Sequence, residues 1–352
     1  MPPGIDIREN VPLAPLTTLG VGGEARFFIS APAPDEVVQA VAFAESRKLP
    51  LFVLGGGSNL VISDRGWSGL VLHVANDNLE THEFGGKIRF DVGAGVAWDD
   101  FVRECVSRNC AGVECLSGIP GNVGGAPVQN VGAYGQEVSE TIVSVLAFDL
   151  SENRVREMQA AECGFGYRNS IFNSSQRGRY IILRVSYALV PNEKPTLRYA
   201  DLQKYFYGRQ TQLSLAEVRE AVISIRAAKG MLISPGDPDS RSAGSFFKNP
   251  VLSATEFEEL TREAAARNLH VPNYPALSQQ HKISAAWLVE NSGFNKGYAK
   301  GNVGISSKHA LAIVNRGNAT AAEVIALKDE IQAAVERLWD IRLQPEPVFV
   351  GF

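Results

Sequence analysis

Between Ser117 and Gly135 the chain reads SGIPGNVGGAPVQNVGAYG, with glycine at 118, 121, 124, 125, 132 and 135, too dense for a helix or strand interior. Each glycine loses more backbone freedom on folding than any other residue and packs no side chain. What such a stretch offers is a backbone able to lie directly against a ligand, its successive N–H groups forming concavities suited to phosphate. No Lys, Arg, Asp or Glu falls within it, so a phosphate would be held mainly by backbone dipoles. Asn122, Gln129 and Asn130 suit a polar ring edge or a ribose. A glycine run by itself favours a solvated surface loop. Ile119, Val123, Val128 and Val131, spaced among the glycines, predict packed loops instead.

A second cradle of the same kind lies upstream. Leu51-Phe52-Val53-Leu54 reads as a short buried strand running into Gly55-Gly56-Gly57-Ser58-Asn59-Leu60. Val61-Ile62-Ser63 then continues as strand, so the step is not a dinucleotide fingerprint opening a helix. The Gly, Lys and Ser/Thr spacing of a nucleoside-triphosphate loop is missing too.

Around these loops strands and helices interleave. A turn over Thr17–Gly23 precedes a strand over Ala25–Ile29. A helix opens at Pro34 with Asp35 and Glu36 in its first turn, as the helix dipole favours, and ends before Pro50. Gly69–Val74 and Lys87–Val92 read as strands, and Trp98, Phe101, Val102 and Cys105 fall at helical spacing. Strands over Ile142–Phe148 and Tyr180–Tyr187 follow. Next comes a helix from Ser214 to about Lys229, opened by the capping-box pair Ser214 and Glu217. Residues 230–243, GMLISPGDPDSRSA, form a turn-rich linker by composition. Helices near 253–268, 284–292 and 320–339, a strand over Ala310–Val314 and an extended ending from Ile341 complete the chain. The pattern predicts an α+β nucleotide-type domain rather than an all-parallel sheet.

Length and charge narrow the function. The chain has 352 residues, enough for two or three domains, and 45% of them are hydrophobic. With 34 basic against 38 acidic residues it carries a formal charge of −4, which supplies no field for nucleic acid or an anionic membrane. No apolar run reaches the length of a membrane span. The N-terminal MPPGIDIREN is polar and lacks a signal-peptide core, so a cytosolic protein is expected. Cys105, Cys110 and Cys115 recur every fifth position and Cys163 stands apart, with no CxxC. These read as small buried hydrophobes. The histidines at 73, 82, 270, 281 and 309 show no metal-ligand pairing, and no metal is expected.

Four spots carry residues for chemistry. Tyr167 and Arg168 sit in Gly164-Phe165-Gly166-Tyr167-Arg168-Asn169-Ser170, where an arginine fork suits a carboxylate or phosphate; a turn with a surface arginine is the plainer reading. Ser245 lies in Ser242-Ala243-Gly244-Ser245-Phe246-Phe247-Lys248-Asn249-Pro250, a hydroxyl beside bulky aromatics or simply a strand start. No GxSxG elbow is present. Glu346 stands between Pro345 and Pro347, either aimed inward by the fixed backbone or solvated on an edge. Arg226 and Lys229 near a helix C-terminus are explained by dipole complementation alone.

Taken together and in order, TTLGVGG, LGGGSNL, SGIPGNVGGAPVQNVGAYG, GYRNSIF, IRAAKG, AGSFFKNP, WLVENSGF and LQPEPVFVG make the chain resemble the UDP-N-acetylenolpyruvoylglucosamine reductases, the MurB-type flavoenzymes, from Thr17 to Gly351. The resemblance implies three domains. Two of them, residues 1–75 and 76–229, form an FAD-binding unit of the vanillyl-alcohol-oxidase (PCMH) type, with 344–352 returning to the first. A C-terminal α+β substrate-binding domain spans 230–343. It implies NADPH reducing a noncovalent FAD, which passes hydride to C3 of the enolpyruvyl group of a nucleotide sugar in cell-wall precursor synthesis.

Carried over by motif, Ser245 is the acid that protonates C2, and Arg168 and Glu346 polarise the substrate carboxylate. Gly55, Gly56, Gly57, Ser58, Asn59, Leu60, Ser117, Gly118, Ile119, Pro120, Gly121, Gly124, Gly125 and Arg226 are the expected FAD contacts. Tyr167, Lys229, Asn249 and His309 align with positions touching the nucleotide sugar or the nicotinamide. Leu197-Arg198-Tyr199-Ala200-Asp201-Leu202 looks like the lid segment of the family's first type, with Tyr199 as the lid tyrosine. Departures are Gln344 and Pro347, where Glu and Val are expected, and the long 230–243 linker. Partners beyond the nucleotide sugar and NADPH are not expected, and the protein is expected to be a monomer. Two other readings are a flavoprotein oxidase of the same fold and a noncatalytic flavin or nucleotide-sugar binder. GGGSNL offers no His or Cys to tether a flavin, and Ser245, Arg168 and Glu346 together argue for catalysis.

Overall fold

A computed structural model of the chain describes residues 5–275 and 280–352; the first four residues of the polar N-terminal stretch lie outside the described residues. Helix starts follow from capping chemistry. Helix α1 (Pro34–Ser46) has proline and two acids in its first turn, and α2 (Trp98–Ser107) has Asp99 and Asp100 there. A short α3 (Ala200–Tyr205) precedes α4 (Leu215–Ala228). The Ser214 N–H and hydroxyl both donate to Glu217 Oε2 at 2.8 Å, and the Glu217 N–H donates back at 3.2 Å. The same reciprocal box, from Ser253 with Glu256 and from Thr320 with Glu323, starts α5 (Ala254–Ala265) and α7 (Ala321–Trp339), while Ser284 caps α6 (Ala285–Glu290).

Two compact units result. The first comprises the chain up to Val11, then Ala25–Gly57 and Ser68–Ala228. A four-stranded sheet runs in the order Ile7–Pro12, Glu24–Ala31, Trp67–Val74, Leu51–Leu54, the last pair parallel. An antiparallel sheet runs in the order Arg154–Gln159, Ile142–Asp149, Tyr180–Pro191, Lys87–Gly93, Leu79–Phe84, with Cys110–Ala111 pairing the end of the long central strand. One core joins the apolar faces of both sheets to α1 and α2: Phe27, Ile29, Val37, Val41, Leu70 and Leu72 are continuous with Phe90, Trp98, Phe101, Val185 and Tyr187. All four cysteines are buried in this unit, as small hydrophobes should be.

The second unit comprises Pro12–Glu24, Ser58–Trp67 and Lys229–Phe352. Its core gathers Leu19 and Val61 with Phe246, Phe247, Leu288, Val324, Leu327 and Val335. The C-terminal strand Val348–Val350 pairs in parallel with Leu60–Ile62. Asp64 accepts from the N–H groups of Ala321 and Ala322 at 2.7 and 3.0 Å, fixing the start of α7.

Two expectations from sequence shift. The strand expected over Ala310–Val314 runs instead from Ile313 to Asn315. Ala310–Ala312 turn, with the Ala312 N–H donating to the His309 carbonyl at 3.2 Å and Leu311 O accepting from Phe246 N at 2.8 Å. Residues 230–243 are not slack linker: Asp239 is buried and accepts from both the N–H and the hydroxyl of Ser307, at 2.9 and 2.6 Å.

Candidate functional site

In the first unit the two glycine loops meet backbone to backbone. A Cβ on Gly56 would stand 2.6 Å from Gly121 Cα and 2.7 Å from Asn122 Oδ1; one on Gly124 would stand 2.6 Å from the Ala94 Cβ. Only glycine permits that approach. Gly55 and Gly125 have nothing within 4 Å of an added Cβ, so beside the contact lies open space. The N–H groups contribute less than expected. Gly118 donates to Asp99 Oδ1 at 2.6 Å, Gly124 to Ala94 O at 2.9 Å and Gly125 to Asn122 O at 2.9 Å. These three glycines therefore offer close approach rather than donors. Ser117 is buried with its hydroxyl given to Glu114 O at 2.6 Å. Asn130, expected to face a ligand, is buried and holds the loop itself: its Nδ2 donates to Glu137 and to Gly166 O, and its Oδ1 accepts from Ser139 N.

Charge reaches this loop from α2 and α4. Asp99 of α2 takes both guanidinium nitrogens of Arg219 at 2.6 Å each besides the Gly118 N–H. Burial opposes the Asp99 charge, but the hydrogen bonds from Arg219 and Gly118 outweigh it and hold the carboxyl below its ordinary value. Arg226 is only 7% exposed and its Nε donates to Gly118 O at 3.1 Å, so helix-dipole complementation does not account for it. Burial lowers its pKa, offset in part by Tyr134, with which it hydrogen-bonds, and by Asp99. Gly118 is thus gripped at both its N–H and its carbonyl.

Arg168 and Tyr167 form the tip of a tight turn in which Gly166 and Asn169 exchange N–H···O bonds of 3.0 and 3.1 Å. Arg168 sits at φ 52°, the left-handed region. A non-glycine residue persists there only when its surroundings impose it. They do: Asn130 holds the Gly166 carbonyl, Asn173 donates to the Arg168 carbonyl at 3.2 Å, and the Ser170 hydroxyl reaches Val128 O. The glycine stretch therefore helps hold the arginine turn, whose tip keeps Tyr167 44% exposed. Tyr199, at the start of α3 and 42% exposed, lays its ring edge-on to Tyr134 at 5.4 Å.

In the second unit backbone bonds set Ser245 and Glu346 on adjoining segments. The Glu346 N–H donates to Phe246 O and the Lys248 N–H to Gln344 O, each at 2.9 Å. Asn59 Nδ2 donates to the Glu346 carbonyl at 3.2 Å, and Val348 N donates to Asn59 O at 2.9 Å. The GGGSNL loop leaves the first unit after Gly57, and its Asn59 braces the glutamate segment of the second. Ser245 Oγ lies 2.9 Å from His309 Nε2. Asn249 Oδ1 accepts from Ala285 N at 2.9 Å and so caps α6, a structural use the sequence did not suggest. Lys229, half-buried, follows the last residue of α4.

Comparisons with known proteins agree in direction. Residues 25–157 match the family described as FAD binding domain, and residues 237–350 the one described as UDP-N-acetylenolpyruvoylglucosamine reductase, C-terminal domain. The chain is 48% identical to the UDP-N-acetylenolpyruvoylglucosamine reductase of Thermobifida fusca, covering 97% of this chain and 98% of that one. To the Mycobacterium tuberculosis protein of the same name it is 41% identical, covering 99% and 96%. The solved structure of that reductase from Thermus caldophilus matches with a TM-score of 0.65 at 26% identity, over 99% of each chain.

Proposed function

The chain belongs to the UDP-N-acetylenolpyruvoylglucosamine reductase family, and from that premise we propose how its own residues carry out the reaction. The activity is flavin-dependent reduction of the enolpyruvyl group of UDP-N-acetyl-3-O-(1-carboxyvinyl)-glucosamine to UDP-N-acetylmuramate, a step in peptidoglycan precursor synthesis. NADPH is the reductant. FAD, when bound, would carry hydride from NADPH to C3 of the enolpyruvyl double bond.

The residues fit that cofactor. The close contact at Gly56 and Gly121, the open space at Gly55 and Gly125, and the buried Arg226 at Gly118 form a cradle for a group that must approach backbone. Gly55–Leu60, Ser117–Gly121, Gly124, Gly125 and Arg226 hold it, noncovalently, since GGGSNL has no tethering side chain.

Negative charge builds at C2 and in the substrate carboxylate as C3 is reduced. Arg168 meets the carboxylate with a fixed cation, its turn already imposed by Asn130 and Asn173. Ser245 gives its hydroxyl proton to C2. Glu346 works on the same carboxylate in a protonated or shared-proton state, because a bare carboxylate there would repel the developing charge. Tyr167, Lys229, Asn249 and His309 contact the nucleotide sugar or the nicotinamide, and Tyr199 closes over bound substrate as in the family's first type.

The observation that carries these assignments is the pair of backbone bonds that set the Ser245 and Glu346 segments side by side. Residues 1–75, 76–229 and 230–343 are proposed as functional domains, and the protein as a cytoplasmic monomer. Among the described residues no helix is long and apolar enough to cross a membrane. An anaerobic assay tests the reading: NADPH should bleach the bound flavin and the enolpyruvyl nucleotide sugar should restore its colour. No recolouring by the sugar, with colour returning only once oxygen is admitted, would overturn it.

A further inference from the structure

A serine that protonates carbon is left as a high-energy alkoxide unless a proton reaches its Oγ in the same step. Ser245 has a neighbour able to supply one: His309 Nε2 lies 2.9 Å from its Oγ. Neither partner is placed by chance. Ser306, fully buried, accepts through its hydroxyl from the N–H groups of Lys308 and His309, at 3.0 and 3.1 Å. Asp239 takes the Ser307 N–H and hydroxyl, and Asp237 pairs with Lys308 Nζ at 2.7 Å. On the serine's side, Phe246 N–H donates to Leu311 O, two residues beyond the histidine. Asp237 and Asp239 thus tie the 230–243 segment to the histidine loop. A backbone carbonyl would orient the Ser245 hydroxyl equally well, but it has no proton to give. Imidazole is the side chain that does so near neutrality.

Resting on the reading that Ser245 protonates C2, we propose that His309 is the proton source that restores Ser245. The C2–H bond forms as Ser245 Oγ–H breaks. In the same step Oγ–H re-forms as the imidazolium Nε2–H breaks, that bond's electrons staying on nitrogen. The neutral imidazole then takes up a hydronium-level proton from the solvent. One solvent proton reaches C2, and the hydride at C3 comes from the reduction itself, so no further reactant enters. Among the described residues, the charged groups bonded to the histidine loop include Lys308 with its partner Asp237 and Asp239 bonded to Ser307; Lys229, Arg241, Lys248 and Glu346 lie on neighbouring segments.

The test uses the full FAD-loaded chain, with flavin absorbance confirming that each variant holds its cofactor. Stopped-flow recolouring of the reduced flavin by the enolpyruvyl nucleotide sugar is followed from pH 5 to 9. In the unsubstituted protein the rate should fall as pH rises through the histidine range, because only the imidazolium donates. His309→Gln keeps an N–H donor but does not titrate; that limb should vanish, and the rate at low pH should drop on the order of a hundredfold. A His309→Gln protein with the original rate overturns the proposal. One uniformly slowed at every pH with the limb intact does so as well, since it shows a positioning role only. Ser245→Ala in the same series separates the two ideas. If it leaves recolouring unchanged, the serine reading is what fails; if it slows recolouring while His309→Gln does not, the relay alone fails. Should His309→Gln lose FAD, a proton inventory of the unsubstituted protein decides. Two protons in flight bow the plot, and a straight line overturns the relay.

Discussion

One methyl group added at Gly125 and, separately, at Gly56 should divide cofactor binding from folding. At Gly125 an ideal Cβ meets nothing within 4 Å, and the backbone is outside the left-handed region. Alanine there costs the protein no packing, and by narrowing the unfolded ensemble it should stabilise the FAD-free chain by about 0.4–1 kcal/mol. At Gly56 the added Cβ stands 2.6 Å from the Gly121 Cα, an atom that cannot rotate away. The two glycine loops must part, at the cost of overpacking, about 1–3 kcal/mol. If FAD occupies the open space over Gly125, the methyl takes part of that volume. A comparable penalty of about 1–3 kcal/mol in binding alone corresponds to roughly 5- to 150-fold in Kd. Thermal unfolding of FAD-stripped protein and fluorescence titration with FAD read the two effects. Gly125→Ala should keep or raise Tm while weakening FAD; Gly56→Ala should lower Tm and weaken FAD together. Gly125→Ala with unaltered FAD affinity would refute the placement of the cofactor in that space.

Asp99→Asn removes the charge that Arg219 and the Gly118 N–H share, and should destabilise the protein at pH 7 by about 2–3 kcal/mol, between exposed and buried ion-pair values, with weaker FAD retention. The folded-state pKa of Asp99 is depressed, so its contribution is complete above the unfolded carboxyl value of about 3.9 and is lost as pH falls through the folded one. Urea unfolding of the two proteins should therefore converge at low pH, and a gap unchanged between pH 7 and pH 3 would contradict this. Tyr199→Phe keeps the ring that packs on Tyr134 and should raise the KM for the nucleotide sugar while leaving flavin bleaching by NADPH near normal. A bleaching defect with unchanged KM would remove Tyr199 from the lid. Acid precipitation should release all flavin colour to the supernatant, and colour left on the pellet would contradict noncovalent binding.

Much of this was legible because local chemistry and tertiary structure agree. The Ser214–Glu217 box opens α4 where its spacing says it should, and Pro34 with Asp35 and Glu36 opens α1. Glycines 56, 121 and 124 are where backbones touch. The misreadings occur where a residue's use is fixed by a distant partner. Arg226 looks like an ordinary C-terminal cation until packing buries it against Gly118. Asp99 looks like an ordinary first-turn acid until Arg219 arrives from α4. Residues 230–243 have a linker's composition, yet buried Asp239 ties them to Ser307, and no local pattern announces that bond. The strand expected at Ala310 starts late because three apolar residues are drawn into a turn that feeds backbone bonds to the serine segment, a demand invisible to periodicity. The resemblance puts His309 near the nucleotide sugar or the nicotinamide, but no local motif ties it to the serine, and only its distance marks it as the partner of Ser245.

The measurement closest to the central claim is the rate of each half of the reaction in Ser245→Ala, followed by stopped-flow flavin absorbance under anaerobic conditions. NADPH bleaching needs no proton at C2 and should run near its normal rate. Recolouring by the enolpyruvyl nucleotide sugar should slow by the share of a positioned general acid, on the order of a hundredfold to ten-thousandfold. Equal slowing of both halves, or of neither, would contradict the assignment of Ser245 as the proton donor.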